Sequence, residues 1–158
     1  MELLGLFLAL FGAAIAGGMS GIGSAIGIGI AGNSAAGVMT EDPNKFVQCL
    51  ALQALPGTQG IYGLLIVFVV LNKVGLLAGT PAPLTWVQGL LIFAACTPVA
   101  LVCWISAIAQ GKTSAASIQM ISKKPEAFAT SMVLPAMVET YAVLSLLMSI
   151  IMLNYIAL

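Results

Sequence analysis

The chain has 158 residues, of which 61% are hydrophobic and only 6% are charged. A soluble domain carries about 25% charged residues, so this composition excludes an ordinary water-soluble fold. Five basic and five acidic residues give a formal net charge of zero, which provides no basis for binding nucleic acid or an acidic substrate.

Four long apolar runs predict four membrane-spanning helices, at about residues 3–38, 45–77, 85–121 and 126–157. Each exceeds the roughly 20 residues with which a helix crosses a bilayer. The segments between them are short and contain prolines or turn residues, which is typical of antiparallel hairpins. We therefore expect an all-α integral membrane fold of two tandem hairpins, residues 1–79 and 80–158.

The first predicted helix is crowded with glycine between residues 17 and 32. It lacks the preceding strand and the GK[ST] ending of a nucleotide-binding loop, so that function is excluded. Small residues four positions apart allow membrane helices to approach closely. We assign this packing role to Gly17, Gly21, Gly23 and Gly27. The first and third helices, both rich in small residues, are then expected to form an inner layer.

The second predicted helix has a polar face near its middle. Four residues recur with the i, i+3, i+4, i+7 spacing of one helix face: Leu55, Thr58, Gln59 and Tyr62. Pro56 lies in the same stretch, and its missing amide hydrogen kinks a helix and leaves carbonyl oxygens free to turn toward an ion. We expect this face to look toward an acid of the fourth helix.

That acid is Glu139, because the other four acidic residues lie at a chain end or in loops. A carboxylate in hydrocarbon is costly, so it marks a functional site by default. Counted along the helices from the loop prolines Pro43 and Pro125, the residues Gln59, Gln110 and Glu139 all lie about 21–24 Å deep. Three helices therefore bring polar groups to one level.

These groups offer a hydroxyl, two amide carbonyls and one carboxylate. Oxygen ligands suit a hard cation, and a single negative charge favours monovalent Na⁺ over Ca²⁺ or Mg²⁺. Two alternatives remain at this point. A proton carrier needs only the carboxyl and a hydrogen-bond partner such as Tyr62. The polar groups can also form interhelical hydrogen bonds with no ion, Glu139 then serving only packing.

Lysines predict the orientation of the chain. Lys45, Lys112, Lys123 and Lys124 lie in or near the first and third loops, and only Lys73 lies near the second. The positive-inside rule places the first and third loops in the cytoplasm. We therefore expect a multi-pass protein of the cell membrane with both termini on the non-cytoplasmic side. We interpret Lys45 and Lys112 as side chains that extend toward the membrane surface.

The two halves of the chain resemble each other. Residues 43–65 and 125–144 share a loop proline, a later Leu-Pro step and a tyrosine. Two hairpins of one orientation predict a parallel duplication about an axis along the membrane normal, and such units can form a ring. Only the second copy keeps an acid, since Glu139 aligns with Gly57 or Gly60 of the first.

Four motifs together resemble one family over nearly the whole chain: SGIGSAIGIGIAG at 20–32, LQALPGTQGIYG at 52–63, SAIAQGK at 106–112, and KKPE followed by AMVETYAVL within 123–144. The chain is similar to the proteolipid (c or K) subunit of rotary V-type ATPases, in its duplicated four-helix form. The sodium-transporting prokaryotic branch of the family is the most similar.

The resemblance implies a ring of identical copies that turns against a stator subunit, contacts a central-stalk subunit and lipids, and binds no nucleic acid. ATP is then hydrolysed by other subunits, and this chain has no catalytic residue or cofactor. The transported ion is Na⁺, with H⁺ as the alternative. The family's ion ligands match the backbone carbonyl of Leu55 and the side chains of Thr58, Gln59, Gln110 and Glu139, with Tyr62 hydrogen-bonded to the glutamate.

Two other classes of function compete with a rotor subunit. A secondary cation transporter or channel would use the same site within one chain and would work without ATP. A purely structural oligomeric protein would leave Glu139 insensitive to ions. An enzyme is the least compatible, because the sequence has no histidine, no nucleophile beside a base and no phosphate-binding loop.

Overall fold

A computed structural model describes residues 2–158 and forms five α-helices: α1 (Glu2–Glu41), α2 (Phe46–Ala54), α3 (Thr58–Lys73), α4 (Trp86–Lys123) and α5 (Phe128–Tyr155). Short 3₁₀ turns precede α2, α3 and α5, at Pro43–Lys45, Leu55–Gly57 and Pro125–Ala127. The α2 helix, the turn after it and α3 form one continuous segment, here called the second span. The described chain thus has four helical segments long and apolar enough to cross a membrane, which confirms the predicted architecture.

The second span ends at Lys73, before the predicted end at residue 77. Gly75 terminates it in the left-handed conformation, with φ of +76°. The amide of Leu76 donates a 3.0 Å hydrogen bond back to the Leu71 carbonyl, as in a Schellman cap. Glycine adopts this conformation without steric cost, so the helix stops although the following residues are still apolar.

Helices α1 and α4 pack along a seam of small residues and form the most extensive interhelical contact in the described chain. At four levels the α1 backbone touches α4: Gly5 with Gly89, Gly12 with Phe93, Gly23 with Trp104, and Gly27 with Ala107 and Gly111. A Cβ atom at Gly23 would lie only 2.6 Å from the Trp104 carbonyl oxygen. Residue numbers rise together along the seam, so the two helices are parallel, as a duplication of one orientation requires.

Two of the glycines assigned to packing behave differently from Gly23 and Gly27. A Cβ at Gly17 would lie 2.9 Å from a methyl carbon of Val67, so Gly17 packs against the second span and not α4. No heavy atom of the described chain lies within 4 Å of the Cβ position at Gly21, which is exposed. The Cα atom of Gly21 nevertheless lies 3.7 Å from the Cβ position at Gly60, so the backbone of Gly21 also approaches the second span, and its packing role stays a prediction.

The outer surface is apolar and part of the interior is polar. Large apolar side chains such as Ile61, Phe68, Met137 and Leu144 are exposed, while Gln59, Gln110 and several serines are buried. This distribution is the reverse of that in a soluble protein and matches a hydrocarbon environment in which polar groups satisfy one another inside. The protein is a multi-pass membrane protein.

Lys45 forms a specific contact between the first loop and α4. Its ammonium group donates a 2.7 Å hydrogen bond to the Ser122 carbonyl and lies 3.8 Å from Asp42. The side chain thus joins the first loop to the carboxyl end of α4, where the helix dipole attracts a cation. The extension of Lys45 and Lys112 toward the membrane surface stays a prediction; Lys112 is exposed on α4.

Candidate functional site

The break in the second span sets the position of the first polar residues. Pro56 cannot donate an amide hydrogen, and the chain forms the 3₁₀ turn Leu55–Gly57 there. Both the amide and the hydroxyl of Thr58 donate to the carbonyl of Leu55, the hydroxyl at 3.0 Å. Just after the turn, the Gly60 amide donates a 2.8 Å hydrogen bond to the Ser24 hydroxyl, which holds this part of the second span against α1.

Two glutamine side chains meet between the hairpins. Gln59, at the start of α3, donates a 2.5 Å hydrogen bond from Nε2 to Oε1 of Gln110 in α4. The Thr58 hydroxyl lies 3.4 Å from Oε1 of Gln59 and donates to it. Gln59 and Gln110 are both 0% exposed. Each amide therefore depends on the other to satisfy its buried polar atoms.

Gln110 also connects α4 to α5. Its Nε2 donates one hydrogen bond of 3.1 Å to the Pro135 carbonyl and one of 3.3 Å to Oε2 of Glu139. With the bond from Gln59, every polar atom of the Gln110 side chain has a partner. The amide is thereby fixed in one orientation, with its nitrogen toward α5 and its oxygen toward the second span.

Glu139 lies partly buried in the middle of α5. Its Oε1 accepts a 2.6 Å hydrogen bond from the Tyr62 hydroxyl, and its Oε2 accepts the bond from Gln110. One donor comes from each hairpin. A carboxylate at this depth is costly unless partnered, and here both of its oxygens have a donor.

The structure brings all six predicted site residues into one cluster. A continuous chain of hydrogen bonds runs across α5, α4 and the second span: Tyr62, Glu139, Gln110, Gln59, Thr58 and the Leu55 carbonyl. Among residues 2–158, no three His, Cys, Asp or Glu side chains converge. The other oxygen atoms along this chain of hydrogen bonds are those of amides, hydroxyls and the main chain, and oxygen ligands suit a hard cation.

Sequence reasoning missed two members of this environment. The Pro135 carbonyl, which orients Gln110, and the Ser24 hydroxyl, which holds the break in the second span, were not predicted. A proline one turn before the acid of α5 was the available signal for the first. Nothing in the spacing of Ser24 distinguished it from the other small residues of α1.

The first hairpin has no equivalent acid and no space for one without rearrangement. A Cβ at Gly57 would lie 3.3 Å from Cδ1 of Ile28, and one at Gly60 would lie 3.2 Å from the Ser24 hydroxyl. In both cases α1 occupies the volume into which a longer side chain would extend. The described chain therefore carries a single site of this kind.

Comparison with known proteins agrees with the duplication. Residues 11–70 and 93–152 each match the family of the ATP synthase C subunit. The chain is 43% identical over 148 residues to the V-type sodium ATPase subunit K of Enterococcus hirae, across 94% of this chain and 91% of that protein. It is 39% identical over 148 residues to the A-type ATP synthase subunit K of Methanocaldococcus jannaschii, across 94% of this chain and 62% of that protein.

Proposed function

The chain belongs to the ATP synthase C-subunit family, and from that premise we propose that it is the Na⁺-carrying rotor-ring subunit of a membrane ATPase, with Glu139 as the ion-binding residue. ATP is hydrolysed by other subunits of such a complex, and this chain acts by carrying ions. The observation that carries the proposal is the polar cluster in which Tyr62 and Gln110, from different hairpins, both donate to Glu139.

The composition of the cluster supports Na⁺ as the transported ion. Glu139 supplies one negative charge, and the two glutamines, Thr58 and the Leu55 carbonyl supply neutral oxygens, all linked by hydrogen bonds. A proton needs no such set. The name of the Enterococcus hirae relative, which includes sodium, agrees with this proposal.

Each residue then has a separate role in binding. Glu139 neutralises the ion, and the oxygens of Thr58, Gln59, Gln110 and Leu55 replace its water. The Leu55 carbonyl accepts from the amide and the hydroxyl of Thr58, and an ion bound there would take the place of the hydroxyl donor. Tyr62 holds the carboxylate in place without contacting the ion, and the Pro135 carbonyl and Oε2 of Glu139 accept from the amide nitrogen of Gln110, which leaves its oxygen toward the second span.

An occupied site is electrically neutral, which is the property that a turning ring requires. The α5 surface beside Glu139 is apolar, with Met137 and Leu144 exposed. A neutral carboxylate–ion pair can pass through lipid at low cost, whereas a bare carboxylate cannot. Release requires a competing positive charge, which a stator subunit would supply. Identical copies, the stator, a central-stalk subunit and lipids are the partners we propose.

The orientation follows from the lysines. Lys45, Lys123 and Lys124 lie at the end of the molecule that contains the first and third loops. We place this end in the cytoplasm and both termini on the opposite side of the cell membrane. Ions then reach Glu139 through the stator at a depth well inside the bilayer.

The test is the labelling of Glu139 by dicyclohexylcarbodiimide, which attacks a protonated carboxyl in an apolar setting. Purified protein is labelled over a pH series with Na⁺ or with K⁺, and Glu139→Gln serves as the unlabelled control. We expect Na⁺, and not K⁺, to slow the reaction. If only pH changes the rate, the ring carries protons. If neither Na⁺ nor pH has an effect, Glu139 serves packing and the proposal fails.

A further inference from the structure

Both helices of the second hairpin contain a proline, and each proline leaves one carbonyl without its helical donor. Pro98 in α4 deprives the Ala94 carbonyl, and Pro135 in α5 deprives the Ser131 carbonyl. The Ala94 carbonyl is satisfied from within its own helix, because the Thr97 hydroxyl donates to it at 2.7 Å. The α4 helix therefore compensates its own proline.

The carbonyl that Pro135 leaves free in α5 is satisfied by a donor from another helix. The hydroxyl of Ser117, in α4, donates a 2.8 Å hydrogen bond to the Ser131 carbonyl. Ser117 is 1% exposed and Ser131 is 0% exposed, so water does not compete for either atom. The hydroxyl of Ser131 is engaged elsewhere, donating at 2.6 Å to the Phe128 carbonyl. The carbonyl that Pro135 leaves free is thus satisfied by a side chain of the neighbouring helix.

This contact lies in line with the ion site. Ser131, Pro135 and Glu139 follow one another at intervals of four residues, so they share one face of α5. Helix α4 holds that face on both sides of the proline, through Ser117 before it and through Gln110 at Pro135 and Glu139. Because proline weakens a helix at its position, the contacts of α4 on both sides of Pro135 set how far Glu139 lies from Gln110.

We propose that Ser117 is a positioning residue of the ion site. Its hydroxyl donates to the carbonyl that Pro135 leaves free, ties α5 to α4 on the side of the proline away from Glu139, and so keeps Glu139 within reach of Gln110. Ser117 does not contact the ion. The inference rests on the proposed function of Glu139 and adds to it a residue about two turns away along the helices that controls its geometry.

Ser114 provides a matched control on the same face of α4. It lies four residues after Gln110 and three before Ser117, and it is 0% exposed. Its hydroxyl has no hydrogen-bond partner within the part of the chain that the structure describes. Replacing Ser114 by alanine removes the same atom from the same interface as Ser117→Ala, but without removing a hydrogen bond.

The experiment measures the Na⁺ concentration that halves the rate of carbodiimide labelling at Glu139, for the assembled ring. We expect Ser117→Ala to raise this concentration about five- to tenfold, the effect of one lost hydrogen bond. Ser117→Thr, which keeps the hydroxyl, and Ser114→Ala should stay within about twofold of the wild type, as expected where no hydrogen bond is lost. A purely structural role of Ser117 would lower the melting temperature and leave this concentration unchanged.

A double-mutant cycle tests whether Ser117 acts on the ion site through the Ser131 carbonyl. Pro135→Ala restores a main-chain donor for the Ser131 carbonyl and makes the Ser117 hydroxyl redundant, so adding Ser117→Ala to it should change the half-protecting concentration little further. The proposal is overturned if Ser117→Ala has an equal effect in the wild type and in Pro135→Ala. It is also overturned if the half-protecting Na⁺ concentration of Ser117→Ala alone equals that of the wild type. If Na⁺ does not protect the wild type, the Na⁺ assignment fails separately. In that case the same variants are compared by the pH at which labelling is half-maximal, and we expect the variants to rank in the same order of effect.

Discussion

The Tyr62 hydroxyl donates a 2.6 Å hydrogen bond to Oε1 of Glu139, across a separation of 77 residues in the chain. Tyr62 lies in α3 and Glu139 in α5, so the bond joins the outer helices of the two hairpins at the level of the site. Gln110 approaches the same carboxylate from α4, on its other oxygen. The carboxylate is therefore held between two hairpins, and its position depends on how they dock.

Replacing Tyr62 by phenylalanine removes this donor while keeping the ring that packs around it. Hydrogen bonds to a charged group contribute about 1.5–3 kcal/mol, so we expect the half-protecting Na⁺ concentration to rise about tenfold or more. The control is Tyr141→Phe, because Tyr141 is 69% exposed on the outer side of α5. Equal values for the two variants would show that the bond does not hold the carboxylate for the ion.

Replacing Glu139 by glutamine keeps the shape of the side chain and an oxygen that can accept from Tyr62, but removes the charge. We expect the ring to assemble, as measured by native mass spectrometry, and ATP-driven uptake of ²²Na⁺ into vesicles to be lost. Glu126→Gln, an exposed acid in the turn before α5, should transport normally. A ring that fails to assemble with Glu139→Gln would assign the residue to packing instead.

Replacing Thr58 by valine tests the hydroxyl as an ion ligand. The Leu55 carbonyl still accepts the main-chain amide of residue 58, so the 3₁₀ turn is expected to remain intact. The loss of one ligand should raise the half-protecting Na⁺ concentration about tenfold, whereas the pH dependence of labelling without Na⁺ should change little. Thr58→Ser keeps the oxygen and should retain tight binding. Similar binding by both variants would exclude Thr58 from the ion's ligands.

Replacing Gly27 by alanine tests the seam between α1 and α4. The added Cβ would collide with the Ala107 carbonyl and lie 2.8 Å from Cβ of Pro56, so the backbones must separate. We expect a destabilisation of about 1–3 kcal/mol, seen as a lower melting temperature and a lower yield of assembled protein. The control is Gly29→Ala, where no heavy atom of the described chain lies within 4 Å. A Gly27→Ala protein as stable as Gly29→Ala would contradict the tight contact.

Much of the architecture was predictable because it follows from local properties. An apolar run of sufficient length must be helical in hydrocarbon, and a short loop must join antiparallel neighbours, so four spans in two hairpins follow from the residues alone. The depth of Gln59, Gln110 and Glu139 also followed from counting residues, since the helix rise is constant. The orientation in the membrane and the identity of the ion stay predictions of the lysine pattern and the ligand set.

Other assignments required the structure. The hydrogen bond of Lys45 to the Ser122 carbonyl and the contact of Gly17 with Val67 of the second span were not predicted. The sequence predicted the end of the second span several residues beyond Lys73, because apolar residues continue past Gly75. In each case the deciding factor was a contact or a backbone conformation that hydrophobicity does not encode.

The pairing of the polar side chains illustrates the same division. Helical periodicity placed Gln59 and Tyr62 on one face, and the position of Glu139 within an apolar run identified it as the acid of the site. Each of these is a property of a single helix. It did not determine that Gln59 binds Gln110, that Gln110 binds the Pro135 carbonyl, or that Ser117 satisfies Ser131. Those pairings depend on the rotation of each helix about its axis, and the packing of all four spans sets that rotation together.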